Sequence, residues 1–82
     1  MPDNKVILYS TDGCHLCELA SEQLNACGVS YQLVDIAFDD TLFERYGVTI
    51  PVVKFNESEL NWPFQIEQLQ IWLENNGITY HT

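Results

Sequence analysis

Two periods of apolar residues run along the chain, and they predict four strands and three helices. Alternating or continuous β-rich runs bounded by polar residues predict the strands. These runs are KVILYS (5–10), YQLVDI (31–36), PVVKF (51–55) and a shorter stretch at about 59–62. Pro51 is tolerated in the third strand because it stands first in it.

Helical spacing appears between these strands. The first helix is predicted from Cys14 to about Cys27, with Gly28 as its C-cap. A short second helix is predicted to end at Gly47. Its candidate N-caps are Asp39, Asp40 and Thr41, and Thr41 with Glu44 has the spacing of a capping box. An apolar stripe at helical spacing predicts the third helix; it consists of Ile66, Leu69, Trp72 and Leu73. The polar segment Asn75, Asn76 and Gly77 ends this helix.

The element order β-α-β-α-β-β-α predicts one domain over residues 1–82 with an α/β fold. The first β-α-β unit should cross over right-handed, with its two strands parallel. The last two strands should form an antiparallel hairpin. The result is a three-layer α/β/α fold with a four-stranded mixed sheet; the tail ITYHT predicts no element.

The charge composition of the chain excludes some classes of binding partner. The net charge is −9, from twelve acidic residues against three basic ones. Phosphate binding needs clustered Lys and Arg, so we expect no nucleic acid and no membrane surface as a partner. The start MPDNKVILYS lacks the pattern of a signal peptide, and no apolar run approaches the roughly 20 residues of a membrane span. We therefore expect a cytoplasmic protein, acting as a monomer.

The cysteines are the candidate reactive residues of the chain. In TDGCHLCELA, Cys14 and Cys17 form a CxxC pair directly after the first strand. The helical spacing of Cys17, Ala20, Leu24 and Cys27 places these residues on one face, towards the sheet, and leaves Cys14 at the helix tip. Cys27 lies ten residues beyond Cys17, or roughly 15 Å along the axis. A disulfide needs Cα atoms within about 7 Å, so Cys27 is predicted to be a core residue.

The helix start favours the thiolate form of Cys14, because free N–H groups and a partial positive charge lie there. We expect a lowered pKa for this thiol, moderated by the nearby acids Asp12 and Glu18. Two other interpretations remain. A structural zinc site usually takes two pairs of ligands, and the chain has one CxxC. In the second interpretation, the two thiols have no chemical role and only pack against other side chains. In a cytoplasmic protein a CxxC after the first strand of a β-α-β unit favours the redox interpretation.

The chain resembles the thioredoxin-fold superfamily and, within it, the small glutaredoxin-like proteins. LYSTDGCHLC resembles the family's first strand, loop and active site, and YGVTIPVV resembles the segment with its cis-proline. The resemblance implies strand order 4-3-1-2, Cys14 as nucleophile and Cys17 as resolving thiol. It also implies a cis Ile50–Pro51 bond that holds the Ile50 backbone beside the disulfide, where a substrate strand pairs with it. The alternative is an ordinary trans proline at the start of an edge strand.

The chain departs from glutaredoxins with a Cys-Pro-Tyr-Cys centre. In this chain His15 and Leu16 lie between the two cysteines. Those glutaredoxins resemble one another in having a basic residue shortly before the first cysteine, whereas this chain has Asp12 there. Asn61, Trp62, Pro63 and Phe64 replace a Gly-Gly pair before the last helix. Phe64 is predicted in the core, whereas Trp62 fits either the core or an apolar lip near Cys14. Glutathione carries two carboxylates, so a site that holds it should offer cations or helix N–H groups. No Lys or Arg adjoins the CxxC in sequence, and Pro63 has no N–H, so glutathione is expected to bind weakly.

These patterns predict a small cytoplasmic thiol–disulfide oxidoreductase acting on a protein disulfide, with catalytic Cys14 and Cys17. Candidate substrate-binding residues are His15, Leu16, Ile50, Pro51 and Trp62. No metal or bound cofactor is required, but an external thiol reductant is. The alternatives are a glutathione-dependent glutaredoxin and a non-catalytic redox-sensing or binding module.

Overall fold

The computed structural model describes residues 6–78 and residue 80. Lys5, predicted as the first strand residue, lies outside the described residues. The strands are β1 (Val6–Ser10), β2 (Tyr31–Asp35), β3 (Val52–Phe55) and β4 (Ser58–Asn61). The helices are α1 (His15–Ala26), α2 (Asp40–Tyr46) and α3 (Ile66–Asn75), with a 3₁₀ helix at Ile36–Phe38.

The four strands form one mixed sheet in the order β2-β1-β3-β4. β1 runs parallel to β2, so that Leu8 lies beside Leu33, and antiparallel to β3, so that Leu8 also lies beside Val53. β3 and β4 form an antiparallel hairpin. The predicted order 4-3-1-2 and the three-layer fold are confirmed. Leu8 and Val53 on the two central strands are fully buried, as expected for strands covered on both faces.

One face of the sheet carries the larger core. Leu24 of α1 and Leu69 and Leu73 of α3 are fully buried there against the central strands. Phe64 is 3% exposed in the same cluster, and its predicted place in the core is confirmed. Trp62 is half-buried at its margin, edge-on to Phe64 with ring centroids 5.0 Å apart. Burial of these side chains stabilises the fold by about 1.5–3 kcal/mol for each large apolar group.

The opposite face carries a smaller, aromatic core beneath α2. Its buried members are Tyr9, Ile36, Tyr46 and Val52. The rings of Tyr9 and Tyr46 stack with centroids 4.5 Å apart. The hydroxyl of Tyr46 donates a hydrogen bond to Glu59 of β4. Burial and this hydrogen bond to a carboxylate raise the pKa of Tyr46 to about 12.

Several element boundaries differ from those predicted. Ile36 opens the 3₁₀ helix instead of ending β2, because the carboxylate of Asp35 accepts the N–H of Ala37 at 2.9 Å. Asp39 is the N-cap of α2 and accepts the N–H groups of Thr41 and Leu42 at 2.9 and 3.1 Å. Thr41 thus lies inside the helix, and the capping box predicted between it and Glu44 is wrong.

Three smaller differences lie at other ends. Helix α1 ends at Ala26, so Cys27 is its C-cap, and Gly28 follows in the left-handed region with a φ of +67°. Pro51 precedes β3 rather than opening it. At the start of α3, the N–H of Gln65 donates to the side chain of Gln68 at 2.6 Å, a cap that the apolar stripe alone did not indicate.

Candidate active site at the start of α1

Cys14 and Cys17 form a disulfide across the first turn of α1. Their Cα atoms are 5.2 Å apart, inside the usual range for a disulfide. Cys14 is the N-cap of the helix, with extended backbone angles, and Cys17 is its third helical residue. The N–H of Cys17 donates to Cys14 Sγ at 3.1 Å. The cap of the helix is therefore a sulfur atom that takes part in the disulfide.

The loop before the helix sets the position of Cys14. The N–H of Cys14 donates to the carbonyl of Thr11 at 3.3 Å, which closes a turn directly after β1. Gly13 in that turn has a φ of +78°, a left-handed conformation that other residues adopt at a cost. An added Cβ would meet nothing within 4 Å, so conformation rather than space requires the glycine.

The two sulfur-bearing residues differ in exposure. Cys14 is half-buried, whereas Cys17 is only 5% exposed and faces the sheet. One sulfur is therefore open to another molecule and one is sheltered behind it.

A pocket of about 300 Å³ adjoins the pair. It lies where the carboxyl ends of the parallel strands β1 and β2 meet the start of α1, the edge at which α/β sheets commonly bind ligands. Ser10 and Asp35, the last residues of the two strands, are register partners there. The lining residues are Ser10, Thr11, Asp12, Gly13, Cys14, Cys17, Glu18, Ser21, Leu33 and Asp35.

Cys27 lies at the other end of α1. It is free and fully buried, in agreement with its predicted place in the core. Burial raises the pKa of its thiol, and a hydrogen bond with Gln70 has a smaller, opposing effect. A thiol held in its neutral form is a poor nucleophile.

The candidate substrate-binding residues lie in three different places. His15 and Leu16, between the cysteines, are exposed, Leu16 by 45%. Ile50 is half-buried against the aromatic core, and Pro51 is buried after a cis peptide bond. Trp62 lines a separate groove beside α1 rather than the pocket at the disulfide.

The backbone of Ile50 is partly occupied. Its N–H donates to the carbonyl of Tyr46 at 3.2 Å. A substrate strand at this position would therefore find the carbonyl of Ile50 as its acceptor, while the N–H already has a partner.

Four residues that line the pocket were not predicted from the sequence: Ser10, Ser21, Leu33 and Asp35. Asp35 had a usable signal. It is the next-to-last residue of the predicted strand 31–36, which is parallel to the one that precedes the CxxC, and the carboxyl ends of neighbouring parallel strands lie together. Ser21 gave no such signal; its hydroxyl is hydrogen-bonded to that of Tyr31.

Among the described residues, no group of three or more His, Cys, Asp or Glu side chains is placed to hold a metal ion. A membrane-spanning helix is likewise absent from the part of the chain that the structure describes, because none of its helices is long and apolar enough.

A four-stranded mixed sheet between helices, with a CxxC pair at the start of the first helix, defines a thioredoxin-like domain. The family described as "Glutaredoxin-like domain (DUF836)" matches residues 5–74. The chain belongs to this family, and its closely placed Cys14 and Cys17 are consistent with a redox function. No curated protein matches the chain.

Solved structures agree with this assignment. The X-ray structure of target protein XcR50 from X. campestris is 36% identical with a TM-score of 0.81, over 85% of this chain and 96% of that one. The solution structure of XcR50 is 36% identical with a TM-score of 0.80, over 87% and 94%. Ne2328 from Nitrosomonas europaea, 22% identical with a TM-score of 0.64 over 88% and 93%, shares the fold.

Proposed function

We propose that the protein is a thiol–disulfide oxidoreductase that reduces a disulfide in a protein substrate, with Cys14 as nucleophile and Cys17 as resolving thiol. One observation carries the proposal: a disulfide at a helix start whose first sulfur is accessible and whose second is buried. A fold of this kind can host several functions, so the site rather than the fold supports this assignment.

The reaction has two thiol–disulfide exchanges. The Cys14 thiolate attacks one sulfur of the substrate disulfide; a Cys14–substrate bond forms, the substrate bond breaks, and the first substrate thiolate leaves and takes up a proton. Cys17 then loses its proton and attacks Cys14 Sγ. The mixed disulfide breaks, the second substrate thiolate leaves and is protonated, and Cys14–Cys17 is oxidised. Two electrons pass from the protein to the substrate.

The helix start supports the first step. The N–H of Cys17 points at Cys14 Sγ at 3.1 Å, and a hydrogen bond to a thiolate stabilises its negative charge. The partial positive charge of the helix N-terminus acts in the same direction. The sheltered Cys17 supports the second step, because its position next to Cys14 makes the attack intramolecular.

The cycle requires a reductant. Two thiols of a small molecule or another protein must reduce the Cys14–Cys17 disulfide, each giving up one electron and one proton. The cytoplasm, predicted from the sequence, supplies such thiols. We propose a protein or peptide substrate rather than glutathione, because Asp12, Glu18 and Asp35 line the pocket and would repel the two glutathione carboxylates.

A trapping experiment tests the assignment. Cys17→Ser removes the resolving thiol, so the mixed disulfide on Cys14 should persist and retain its partner through a non-reducing gel. Cys14→Ser is the matched control and should retain none. Trapping by Cys14→Ser but not by Cys17→Ser would reverse the roles, and trapping by neither would count against the proposal.

Two turnover assays separate this function from its rivals. The protein should turn over slowly in a glutathione-coupled disulfide assay and faster on a protein disulfide when a chemical dithiol regenerates it. Turnover with glutathione equal to that of a Cys-Pro-Tyr-Cys glutaredoxin would favour the glutathione-dependent alternative. Oxidation and reduction without turnover in either assay would favour a sensor.

A further inference from the structure

The pocket beside the disulfide has carboxylates from three different segments. Asp12 belongs to the loop after β1, Glu18 to the first turns of α1, and Asp35 to the end of β2. Three parts of the fold thus place negative charge around one sulfur pair.

The cationic side chains of the described residues lie elsewhere. The guanidinium of Arg45, on α2, lies 5.4 Å from the ring centroid of Tyr46 on the aromatic face. Lys54 is on β3, where its register partner in β4 is Glu59. Neither residue lines the pocket, so its negative charge is not balanced from within by these side chains.

The three carboxylates are available to a visitor. Asp12 and Glu18 are exposed. Asp35 uses Oδ1 to accept the N–H of Ala37 at 2.9 Å, and Oδ2 takes no part in that bond. Leu33, 60% exposed, adds an apolar wall on the same side. A long basic side chain matches this combination, since its methylene stem covers apolar surface while its charged end meets the carboxylates.

The size of the pocket agrees. A volume of about 300 Å³ is at the lower limit of the roughly 300–1,000 Å³ typical of small-molecule sites. It suits one side chain of a docked peptide better than a larger ligand.

We propose that this pocket selects substrates in which an Arg or Lys is the immediate neighbour of the cysteine attacked by Cys14. This inference rests on the proposed function and names its substrate class. The basic side chain enters the pocket while the substrate disulfide meets Cys14, so that charge complementarity raises the rate of productive encounter.

The net charge of −9 also attracts cationic substrates from a distance, and the test must separate that effect from the pocket. Glu22 makes this possible. It is an exposed acid on the same helix, one turn after Glu18, and it lines the separate groove that contains Trp62. Glu18→Gln and Glu22→Gln remove the same charge from the same helix, but only the first removes it from the pocket.

The substrates are disulfide-linked dimers of the blocked tripeptides acetyl-Xaa-Cys-Xaa-amide, where Xaa is Arg, Gln or Glu. The blocked termini leave Xaa as the only charge. Single-turnover reduction by the fully reduced protein gives a rate constant for each dimer. This rate constant is divided by the one measured for the same dimer with dithiothreitol, a neutral dithiol. The normalised rate is then free of differences in the intrinsic reactivity of the disulfides.

The normalised rate with the Arg peptide should exceed that with the Glu peptide about tenfold, with Gln between them. Glu18→Gln should lower this ratio to about threefold, whereas the charge-matched Glu22→Gln should leave it near that of the unchanged protein. The ratio is the readout because a change in the nucleophilicity of Cys14 affects all three peptides equally.

Each result has one meaning. Equal normalised rates for the three peptides would overturn the inference and leave the proposed function standing. An equal fall in the ratio for Glu22→Gln and for Glu18→Gln would also overturn it, because long-range attraction would then explain the preference. Failure to reduce any of the three dimers would refute the proposed function itself.

Discussion

The two ends of helix α1 both carry cysteine, and they differ in almost every property that affects a thiol. At the first end, Cys14 is half-buried, caps the helix and accepts an N–H through its sulfur. At the other end, Cys27 is fully buried among apolar side chains, where burial raises its pKa. One helix thus holds an accessible sulfur beside a pocket and an inert one inside the core.

The difference shows that position along a helix decides the chemistry of a residue type. Free N–H groups at the helix start stabilise an anion, while carbonyl groups at its end do not. The first end adjoins the pocket at the disulfide, whereas the second end packs into the larger core together with α3. Three predictions test this division between a reactive end and a structural end.

The largest expected effect concerns stability. Leu24 lies fully buried near the structural end, and Leu16 is 45% exposed at the reactive end. Leu24→Ala should lower the free energy of unfolding by about 2–5 kcal/mol, because it leaves a cavity in the core. Leu16→Ala, the same substitution in an exposed position, should change it by less than about 1 kcal/mol. Urea unfolding of the reduced proteins measures both, and similar losses would erase the distinction between the two ends.

The second prediction concerns thiol reactivity. In the reduced, folded protein, iodoacetamide at neutral pH should label Cys14 about 100-fold faster than Cys27, because accessibility and thiolate formation both favour Cys14. Peptide mapping by mass spectrometry at short times gives the two rates. As a control, labelling in denaturant should bring them close together. Comparable labelling in the folded protein would contradict the assignment of a buried, neutral Cys27.

The smallest effect concerns pH. Because burial raises the pKa of Cys27, the folded protein keeps this proton at a pH where the unfolded chain has lost it. The unfolded state then binds fewer protons, so the free energy of unfolding falls as pH rises above about 9.0, the value for an unperturbed thiol here. Below that pH the contribution is fully present. The slope for one proton is at most about 1.4 kcal/mol per pH unit.

A matched pair isolates this contribution. Both proteins carry Cys14→Ser and Cys17→Ser, which prevents disulfide exchange, and one also carries Cys27→Ala. The protein that retains Cys27 should lose more stability between pH 8 and pH 10 in urea unfolding. Tyr9 and Tyr46, whose pKa values burial also raises, titrate equally in both members of the pair. Parallel curves would show that the Cys27 thiol has the same acidity folded and unfolded.

The elements that depend on a local pattern could be predicted from the sequence. Apolar periods indicated β1, α1 and α3, and the helical spacing of Cys17, Ala20, Leu24 and Cys27 indicated the buried face of α1, whereas the strand order 4-3-1-2 followed from the family resemblance. Contacts between segments that are distant in sequence were less predictable. Trp62 lies away from the pocket because the chain after β4 turns along α1, which its neighbours in sequence do not indicate. The place of Asp35 was predictable, since β2 was expected to lie parallel to β1. The N-cap of α2 depended on a choice among adjacent polar residues that sequence spacing did not resolve.

All the residues that line the disulfide pocket lie between residues 10 and 35, within a single β-α-β unit. The two ends of this segment meet where Ser10 pairs with Asp35, and the entropy lost in closing such a loop grows only slowly with its length. The later half of the chain contributes β3, which pairs with β1, and α3, which packs into the core on the same face as α1. The reacting segment and its support are therefore separate stretches of sequence, and insertions after residue 55 can lengthen the hairpin without changing the pocket wall.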